Sequence, residues 1–309
     1  MSFPGRRIAL IGAPSSIGIR PYDESGLVRE IHRAPALFRE LELARRLDAA
    51  DTGDVFPPSY VDFDRPPGRA RNEAGVESYS RALAARISAA TARGDFVVLV
   101  GGECSIVLGA LLGARRGSEG YVGLAYVDGH ADFATPSESV TGSVASMCLA
   151  LAVGRGDSPL ARLSPDGPLV RGEDVALIGR RDDADARIYG EDVLAEMGVL
   201  DLTAADIMQR GAELAVDTAL ARLTRPGLAG FWIHIDADVL DPAVMPAVDS
   251  PDPGGLSLDT VADLLRPLVR HPRALGLELT IYDPGLDPDG SCARRLAALL
   301  ECVLAGGTT

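Results

Sequence analysis

The sequence lacks several features that would define other classes of protein. Its 309 residues include only four cysteines, which form neither a CxxC pair nor a disulfide-like framework. No apolar run approaches the roughly 18 residues that a membrane span needs. The start, MSFPGRR, leads directly into the apolar strand IALIGAP and is too short for the apolar core of a signal peptide. These absences predict a reduced, cytoplasmic protein with no membrane partner.

Basic side chains are also scarce. The chain has 30 Lys and Arg against 44 Asp and Glu, and its formal net charge is −14. Nucleic acids and anionic membranes both require basic surface, so this balance argues against either as a partner. The excess of carboxylates suits a small cationic substrate, although many proteins are acidic without binding one.

Short apolar runs alternate with longer helical patterns along the chain. Several runs are apolar at successive positions, which is typical of strands buried on both faces of a parallel sheet. The alternation predicts an α/β fold, a three-layer α-β-α sandwich with a parallel sheet. We find no internal repeat and no linker, so residues 1–309 are predicted to form one domain. The predicted strands are residues 7–11, 96–100, 121–127, 175–178, 230–235 and 275–281.

The helical patterns have recognisable start signals. Pro35 stands near the start of the first pattern, and Ser257 precedes the apolar pattern of the seventh. Three stretches between elements, residues 57–69, 116–120 and 157–172, look like surface loops. The predicted helices are residues 34–47, 75–93, 105–115, 186–197, 203–209, 214–223, 256–270 and 291–304.

Two of the predicted strands are followed by acidic residues at alternating positions. In a parallel sheet ligands bind beyond the carboxyl ends of the strands, and residues two apart in an extended segment face the same way. Such a carboxylate cluster would repel itself unless a cation neutralised it. Four carboxylates and one imidazole suit a hard or borderline divalent ion such as Mn²⁺, whereas the alternative is a set of turn and cap aspartates. The residues are Asp128, His130, Asp132, Asp236 and Asp238.

Several blocks, in order along nearly the whole chain, resemble the signature blocks of the arginase–agmatinase (ureohydrolase) family. The two aspartate blocks are highly specific together: VDGHADF at 127–133, and HIDADVLDP at 234–242 with the later AVDSPDPGGLS. IALIGAP, GGECS and ELTIYDP are similar but weaker alone. The resemblance implies a parallel sheet of about eight strands and a hydrolase that cleaves a C–N bond of a guanidino or amidine substrate.

The resemblance also implies two Mn²⁺ ions bridged by the hydroxide that attacks the substrate. Asp128 and Asp236 would bridge both ions. His130 and Asp238 would bind one ion only. Asp132 would bind the other ion and is also a candidate to hold the hydroxide by a hydrogen bond.

Further candidates come from the same resemblance. Ser250 stands where the family usually has threonine and would hydrogen-bond near the metals. Thr141 and Ser143 lie in the segment that carries a proton-shuttle histidine in arginases, and are predicted to bind substrate. Asp182 and Asp183 follow residues 175–178, where the family contacts the α-amino group of the substrate.

The block GGECS departs from the family pattern Gly-Gly-Asp-His-Ser, because Cys104 stands where a histidine binds the first metal. We predict that Cys104 is a ligand, since a thiolate binds metals and a helix N-terminus lowers the pKa of a thiol. Sulfur shifts the preference toward Zn²⁺ or Fe²⁺. The alternative is an inert buried cysteine beside a weak or missing metal. A cysteine here is known among relatives that act on N-hydroxylated arginine, which makes that substrate a candidate.

Two more departures concern the reaction and the substrate. Ala145 aligns with the shuttle histidine, and Ile281 aligns with a glutamate that pairs with the guanidinium group. Glu278 remains a substrate-binding candidate, but an offset of three along a strand faces the other way. L-Arginine is therefore a doubtful substrate. His234 either faces the site or is a satisfied core histidine, and we interpret it as the latter.

Two rival functions remain open. A deacetylase-like enzyme would need only Asp128, His130 and Asp238 on one Zn²⁺, but the catalytic histidine pair of such enzymes is missing. A catalytically inactive relative would bind a small cation or a partner, and the lost shuttle and glutamate fit that. Its unused buried carboxylates would cost stability without an ion. The family also leaves a homo-oligomer open.

Overall fold

A computed structural model describes residues 5–22, 26–61, 66–183, 186–190 and 192–304. Eight strands form one sheet, and every pairing between neighbours is parallel. The strands are β1 (Ile8–Ala13), β2 (Ala49–Asp54), β3 (Phe96–Gly101), β4 (Val122–Val127), β5 (Val175–Ile178), β6 (Leu200–Leu202), β7 (Gly230–Asp236) and β8 (Ala274–Thr280). Their order across the sheet is β2-β1-β3-β8-β7-β4-β5-β6. The predicted α/β fold with a parallel sheet of about eight strands is confirmed.

The interior strands are covered on both faces. Every residue of β1, β3, β4, β5 and β7 is buried, so side chains that point to opposite faces all lie in apolar surroundings. Helices pack around this sheet and give the predicted layers. They are α1 (Ala34–Glu40), α2 (Leu43–Arg46), α3 (Glu73–Thr91), α4 (Ile106–Ser118), α5 (Cys148–Ala152), α6 (Ala186–Tyr189), α7 (Val193–Glu196), α8 (Ala204–Arg210), α9 (Ala212–Leu223), α10 (Leu258–Arg270) and α11 (Ser291–Leu304).

Both edge strands escaped the sequence prediction. The strand β2 has the sequence AADTGD and β6 is only LDL, and the residues of both are at least partly exposed. A half-exposed edge strand needs no continuous apolar run, which was the signal used to find the others.

Several predicted helices have different bounds. Residues 34–47 are not one helix, because Glu42 adopts a left-handed conformation with φ of +56° and separates α1 from α2. Residues 186–197 are also divided, since Gly190 has φ of +100° after α6; residue 191 in this prediction lies outside the described residues. The helix α4 runs to Ser118, into the predicted loop 116–120. In the predicted loop 57–69, residues 62–65 are outside the described ranges. None of the helices in those ranges is long and apolar enough to cross a membrane.

The central strands bring three distant segments to one edge of the sheet. Val127 of β4 pairs with Ile235 of β7, so the residues that follow them, Asp128 and Asp236, are neighbours. The segment after β3 joins them through a close approach at Gly102. A Cβ atom there would lie 2.2 Å from the carbonyl oxygen of Ser15, so only glycine fits.

Candidate metal centre

Two groups of metal-ligating side chains lie at this edge of the sheet. The first, here called the Cys104 cluster, consists of Cys104, Asp128, His234 and Asp236. One ligand atom from each member lies within 4.8 Å of the others, and all four residues are buried. It therefore combines sulfur, nitrogen and oxygen donors in a space that one ion can occupy.

The second group, here called the His130 cluster, consists of Asp128, His130 and Asp238. Its ligand atoms also lie within 4.8 Å of one another, and it shares Asp128 with the Cys104 cluster. His130 is the partly exposed member of the group. The two groups are thus joined through one carboxylate, which is the arrangement expected of a bridging ligand.

Short turns after β4 and β7 aim these carboxylates. The backbone N–H of His130 donates to Asp128 Oδ1 over 2.7 Å, and that of Asp238 donates to Asp236 Oδ1 over 2.8 Å. Each bond folds the chain back on itself two residues after the aspartate. Gly129 permits contact between the turns, because a Cβ atom there would lie 2.9 Å from Asp238 Oδ1.

His130 is held between two carboxylates. Its Nδ1 lies 3.0 Å from Asp238 Oδ2, and its Nε2 lies 3.2 Å from Asp252 Oδ2. A metal-ligating imidazole commonly donates its second N–H to a carboxylate, so Asp252 is suited to orient the ring. Arg181 adds a further support through Nη2, which donates to the carbonyl oxygen of Asp238 over 2.7 Å.

The burial of so many carboxylates shifts their pKa values in opposite directions. Burial, together with the neighbouring Asp238, raises the pKa of Asp128 to about 6. The same two causes raise the pKa of Asp236 well above its usual value. Burial also raises the pKa of Asp238, but the charge and hydrogen bond of His130 lower it by more, so the pKa of Asp238 is below its usual value. The repulsion among these carboxylates is what a bound cation would relieve.

The expected lowering of the Cys104 thiol pKa is wrong. Burial, followed by the charges of Asp236, Asp132 and Asp128, raises the pKa of this thiol well above its usual value. Cys104 precedes the N-cap of α4, Ser105, and its Sγ donates to Asp236 Oδ2 over 2.8 Å. The surrounding carboxylates therefore outweigh the helix terminus. Only a cation bound beside the sulfur would favour the thiolate.

Two unpartnered atoms indicate that the site suits a metal. Asp128 Oδ2 and His234 Nε2 are both buried without a hydrogen-bond partner in the part of the chain that the structure describes. A buried polar atom without a partner carries its full desolvation cost, about 1–3 kcal/mol. A divalent ion coordinated by these atoms would remove that cost, and the N, O and S donor set is one that such ions accept.

Asp132 is placed differently from the other predicted ligands. It belongs to neither cluster of the described residues, and its Oδ2 accepts a hydrogen bond of 2.6 Å from Tyr126 Oη. Its φ of +49° turns the chain after His130. The side chain lines the cavity above the clusters.

That cavity has a volume of about 780 Å³ and has Cys104, His130, Asp236 and Asp238 in its wall. Most of the predicted substrate-binding and catalytic residues line it too, namely Asp132, Thr141, Ser143, Asp182 and Ser250. Asp182 is also fixed by the backbone N–H of Ala131, which donates to its Oδ2 over 2.9 Å.

Two other candidates do not line this cavity. Asp183 is exposed and pairs with Arg180 Nη1 over 2.9 Å. Glu278 is fully buried and its Oε1 lies 2.7 Å from His234 Nδ1. Glu278 lies two residues before Thr280 on β8, so it is on the face of the metal-ligating groups but one row below the cavity, where it contacts His234.

The two family positions with altered residues do face the cavity. Ala145 and Ile281 are both in its wall. Ile281 is 4% exposed and has φ of +67°, an uncommon conformation for a β-branched residue. The wall is therefore apolar at the two places where the resemblance would put a shuttle and a guanidinium partner.

Comparisons with known proteins bear on the family and the fold. The family described as "Arginase family" matches residues 6–306. Arginase from Brevibacillus brevis is 27% identical over 304 residues, covering 96% of this chain and 97% of the relative. A structure of arginase from Bacillus caldovelox superposes with a TM-score of 0.86 at 24% identity, covering 98% of this chain and 100% of that one. Proclavaminate amidino hydrolase from Streptomyces clavuligerus gives 0.64 at 20%, with 97% and 92% covered.

The match over nearly the whole chain shows that this protein belongs to the arginase family. It is a hydrolase of the class that acts on C–N bonds in linear amidines. The family's members have binuclear metal sites, and the two clusters joined by Asp128 are candidate metal-ligand groups in this chain.

Three features of the site escaped the sequence analysis. His234 is buried as expected but is not a satisfied core residue, since its Nε2 has no partner among the described residues. Tyr126 donates to Asp132, and Asp252 contacts His130. The spacing of two between His234 and Asp236, and between Tyr126 and Asp128, is a signal that could have found two of them.

Proposed function

We propose that this protein hydrolyses a C–N bond of a guanidino or amidine substrate with two divalent ions, one in each cluster. The observation that carries the proposal is that Asp128 joins two clusters whose other members, among them Cys104 and His130, line the 780 Å³ cavity. Two sites joined by one carboxylate, beside a space for a small molecule, are suited to two-metal hydrolysis.

The two clusters favour different ions. The His130 cluster offers two carboxylates and one imidazole, a set that suits Mn²⁺. The Cys104 cluster adds sulfur, which favours Zn²⁺ or Fe²⁺. Ions in such sites provide a nucleophilic water at neutral pH and polarise the group under attack.

The polar side chains of the cavity would bind and orient the substrate. Asp132 and Asp182 are acceptors for its N–H groups, and both are held by hydrogen bonds from Tyr126 and Ala131. Ser250, exposed in the wall, supplies a hydroxyl that both donates and accepts. In the hydrolysis the water oxygen stays on the amidine carbon, which becomes a urea-type carbonyl. The C–N bond breaks, one proton of the water goes to the leaving amine, and the other goes to the imine nitrogen that stays on the carbon.

The apolar wall favours an N-hydroxylated guanidine over L-arginine. A guanidinium cation beside Ile281 would lack the carboxylate that the family pattern provides, and an unpaired charge is costly to bury. An N-hydroxyguanidine is less basic, so it can enter with less charge. N-Hydroxylated arginine is therefore our preferred substrate.

Product analysis tests this proposal. Protein loaded with Mn²⁺, and separately with Zn²⁺ and Fe²⁺, is incubated with guanidino, N-hydroxyguanidino, formimino and acylamino compounds. We expect a urea-type product and an amine, fastest from the N-hydroxyguanidino compound, and none after chelation. Product only from acylamino compounds would favour a deacetylase-like hydrolase. No product from any compound, with ions bound, would favour a binding protein.

A further inference from the structure

His234 lies directly behind the metal-ligating aspartates in the sheet. In one row across three strands, Tyr126 of β4 pairs with His234 of β7, and His234 pairs with Glu278 of β8. Two residues later, Asp236 is paired with Thr280. Because residues two apart on a strand face the same side, His234 and Asp236 project in one direction. The imidazole therefore points along the same face as the carboxylate ligands.

The two nitrogens of this imidazole have unlike surroundings. Nδ1 lies 2.7 Å from Glu278 Oε1, a hydrogen bond between two fully buried side chains. Nε2 has no hydrogen-bond partner among the described residues and lies 3.7 Å from Asp128 Oδ2, which also lacks one. That separation is too long for a hydrogen bond. The pair thus presents two unsatisfied ligand atoms to each other across a gap.

The gap has the width that an ion requires. Two atoms bonded to one ion at about 2.1 Å can be no more than about 4.2 Å apart, and 3.7 Å falls within this limit. Cys104 and Asp236 supply the other donors, each with an atom within 4.8 Å of the ligand atoms of Asp128 and His234. Four donors of this kind are sufficient for a tetrahedral ion.

Glu278 and Tyr126 hold the imidazole in place. A ligating histidine almost always gives its second N–H to a carboxylate or carbonyl, which fixes the tautomer and leaves the other nitrogen for the metal. Glu278 is that carboxylate. The ring of Tyr126 stacks on the imidazole with centroids 4.2 Å apart and planes inclined by 12°, which restricts its rotation.

We infer that His234 is a metal ligand through Nε2 and that Glu278 is its positioning residue. The imidazole that the family pattern places after β3 is here supplied by β7, while Cys104 occupies the earlier position with sulfur. The Cys104 cluster then binds a borderline ion such as Zn²⁺ through one sulfur, one nitrogen and two carboxylates. This inference rests on the metal dependence in the proposed function.

Metal binding by substituted proteins tests the inference. Wild type, His234→Ala, His234→Asn and the control His32→Ala, an exposed histidine outside both clusters, are freed of metal and titrated with Zn²⁺ and with Co²⁺. Bound ions per chain are counted, affinities are measured against a chelator, and the visible spectrum of Co²⁺ is recorded. Circular dichroism shows which variants are folded. X-ray absorption of the Zn²⁺-loaded wild type detects imidazole and sulfur on the same ion without any substitution.

We expect both His234 variants to lose the ion that shows the sulfur signature, with a fall in affinity of about 100-fold or more, while His32→Ala matches wild type. Glu278→Gln should keep that ion with an affinity about 10- to 100-fold weaker, as expected of a residue that acts through the ligand. The X-ray absorption should show imidazole and sulfur on one ion.

The opposite results would overturn it. A His234 variant with unchanged ion count, affinity and Co²⁺ spectrum would make His234 a support for Asp128 only, as would sulfur without imidazole in the absorption spectrum. A different result would reject the proposed function alone. In that case wild type would bind the His234-dependent ion but release no product. Hydrolysis by both wild type and a metal-replete His234 variant would retain the function and reject the ligand.

Discussion

The two clusters share Asp128 and differ in almost everything else. The Cys104 cluster is buried in all its members and has a sulfur donor, and its imidazole is anchored inside the sheet by Glu278. The His130 cluster is open on one side, because His130 is partly exposed and contacts the loop residue Asp252. The difference indicates that one ion would be held tightly by the core of the fold. The other would be held at the cavity wall, where ligands can exchange.

We expect the largest effect from a substitution of Asp128, the ligand that both clusters share. Asp128→Asn removes the charge that both clusters use. Since metal ions contribute several kcal/mol to such reactions, hydrolysis should fall by about 1,000-fold or more. Kinetics together with ion counting measures both effects. Asp157→Asn, whose side chain is 95% exposed, is the control and should match wild type. Normal activity in Asp128→Asn would refute the shared site.

Removal of the sulfur should affect one cluster only. Cys104→Ala should weaken the ion of the Cys104 cluster by about 100-fold and leave the ion of the His130 cluster in place. Elemental analysis of wild type and variant after dialysis measures this. Cys302→Ala, at a partly exposed position outside both clusters, is the matched control. Equal metal in wild type and Cys104→Ala would show that the thiol is not a ligand.

The metal-loaded and metal-free proteins should differ in how their thermal stability depends on pH, because protons compete with the ion for Asp128. The folded-state pKa of Asp128 is raised to about 6, so its protonation stabilises the metal-free fold below the ordinary pKa and this stability is lost as pH rises through 6. Between pH 5 and 7 the metal-free protein should lose about 1.4 kcal/mol, or about 2–3 °C in Tm. In the metal-loaded protein the ion takes the place of this proton, so its stability should not fall over the same pH range. Thermal scans of both proteins at both pH values measure this. The same change in Tm with and without metal would contradict the prediction.

The smallest effect concerns the apolar cavity wall at Ile281. Ile281→Glu restores the carboxylate expected beside a guanidinium group. One charge-assisted hydrogen bond is worth about 1.5–3 kcal/mol, so kcat/KM for L-arginine should rise about tenfold or more. Ile281→Gln keeps the shape without the charge and should gain much less. Equal gains in both, or none, would show that this wall does not face the guanidinium.

The sequence predicted the His130 cluster better than the Cys104 cluster, for a physical reason. Asp128 and His130 are neighbours on one segment, and Asp236 and Asp238 on another, so alternation alone places each pair. The contact of His234 with Glu278 joins residues 44 positions apart. Periodicity shows that His234 shares a face with Asp236, but not that its Nε2 is left unpaired.

The fold shows a similar division. Buried strands such as β4 and β7 carry continuous apolar runs and were found from them. The edge strand β2 carries few apolar residues, and β6 is only three residues long, so neither has the continuous apolar run of a buried strand. The break between α1 and α2 depends on a left-handed Glu42, a residue type without a strong preference for that conformation.

A stepwise metal titration with product analysis tests the central claim most directly. Metal-free protein receives Zn²⁺ or Mn²⁺ in increments, and bound ions per chain and hydrolysis of an N-hydroxyguanidino compound are measured on the same samples. Two unlike sites that share Asp128 predict two binding steps of different affinity, with hydrolysis following the second. Full hydrolysis without bound ions, or two bound ions with no hydrolysis of any guanidino or N-hydroxyguanidino compound, would contradict it.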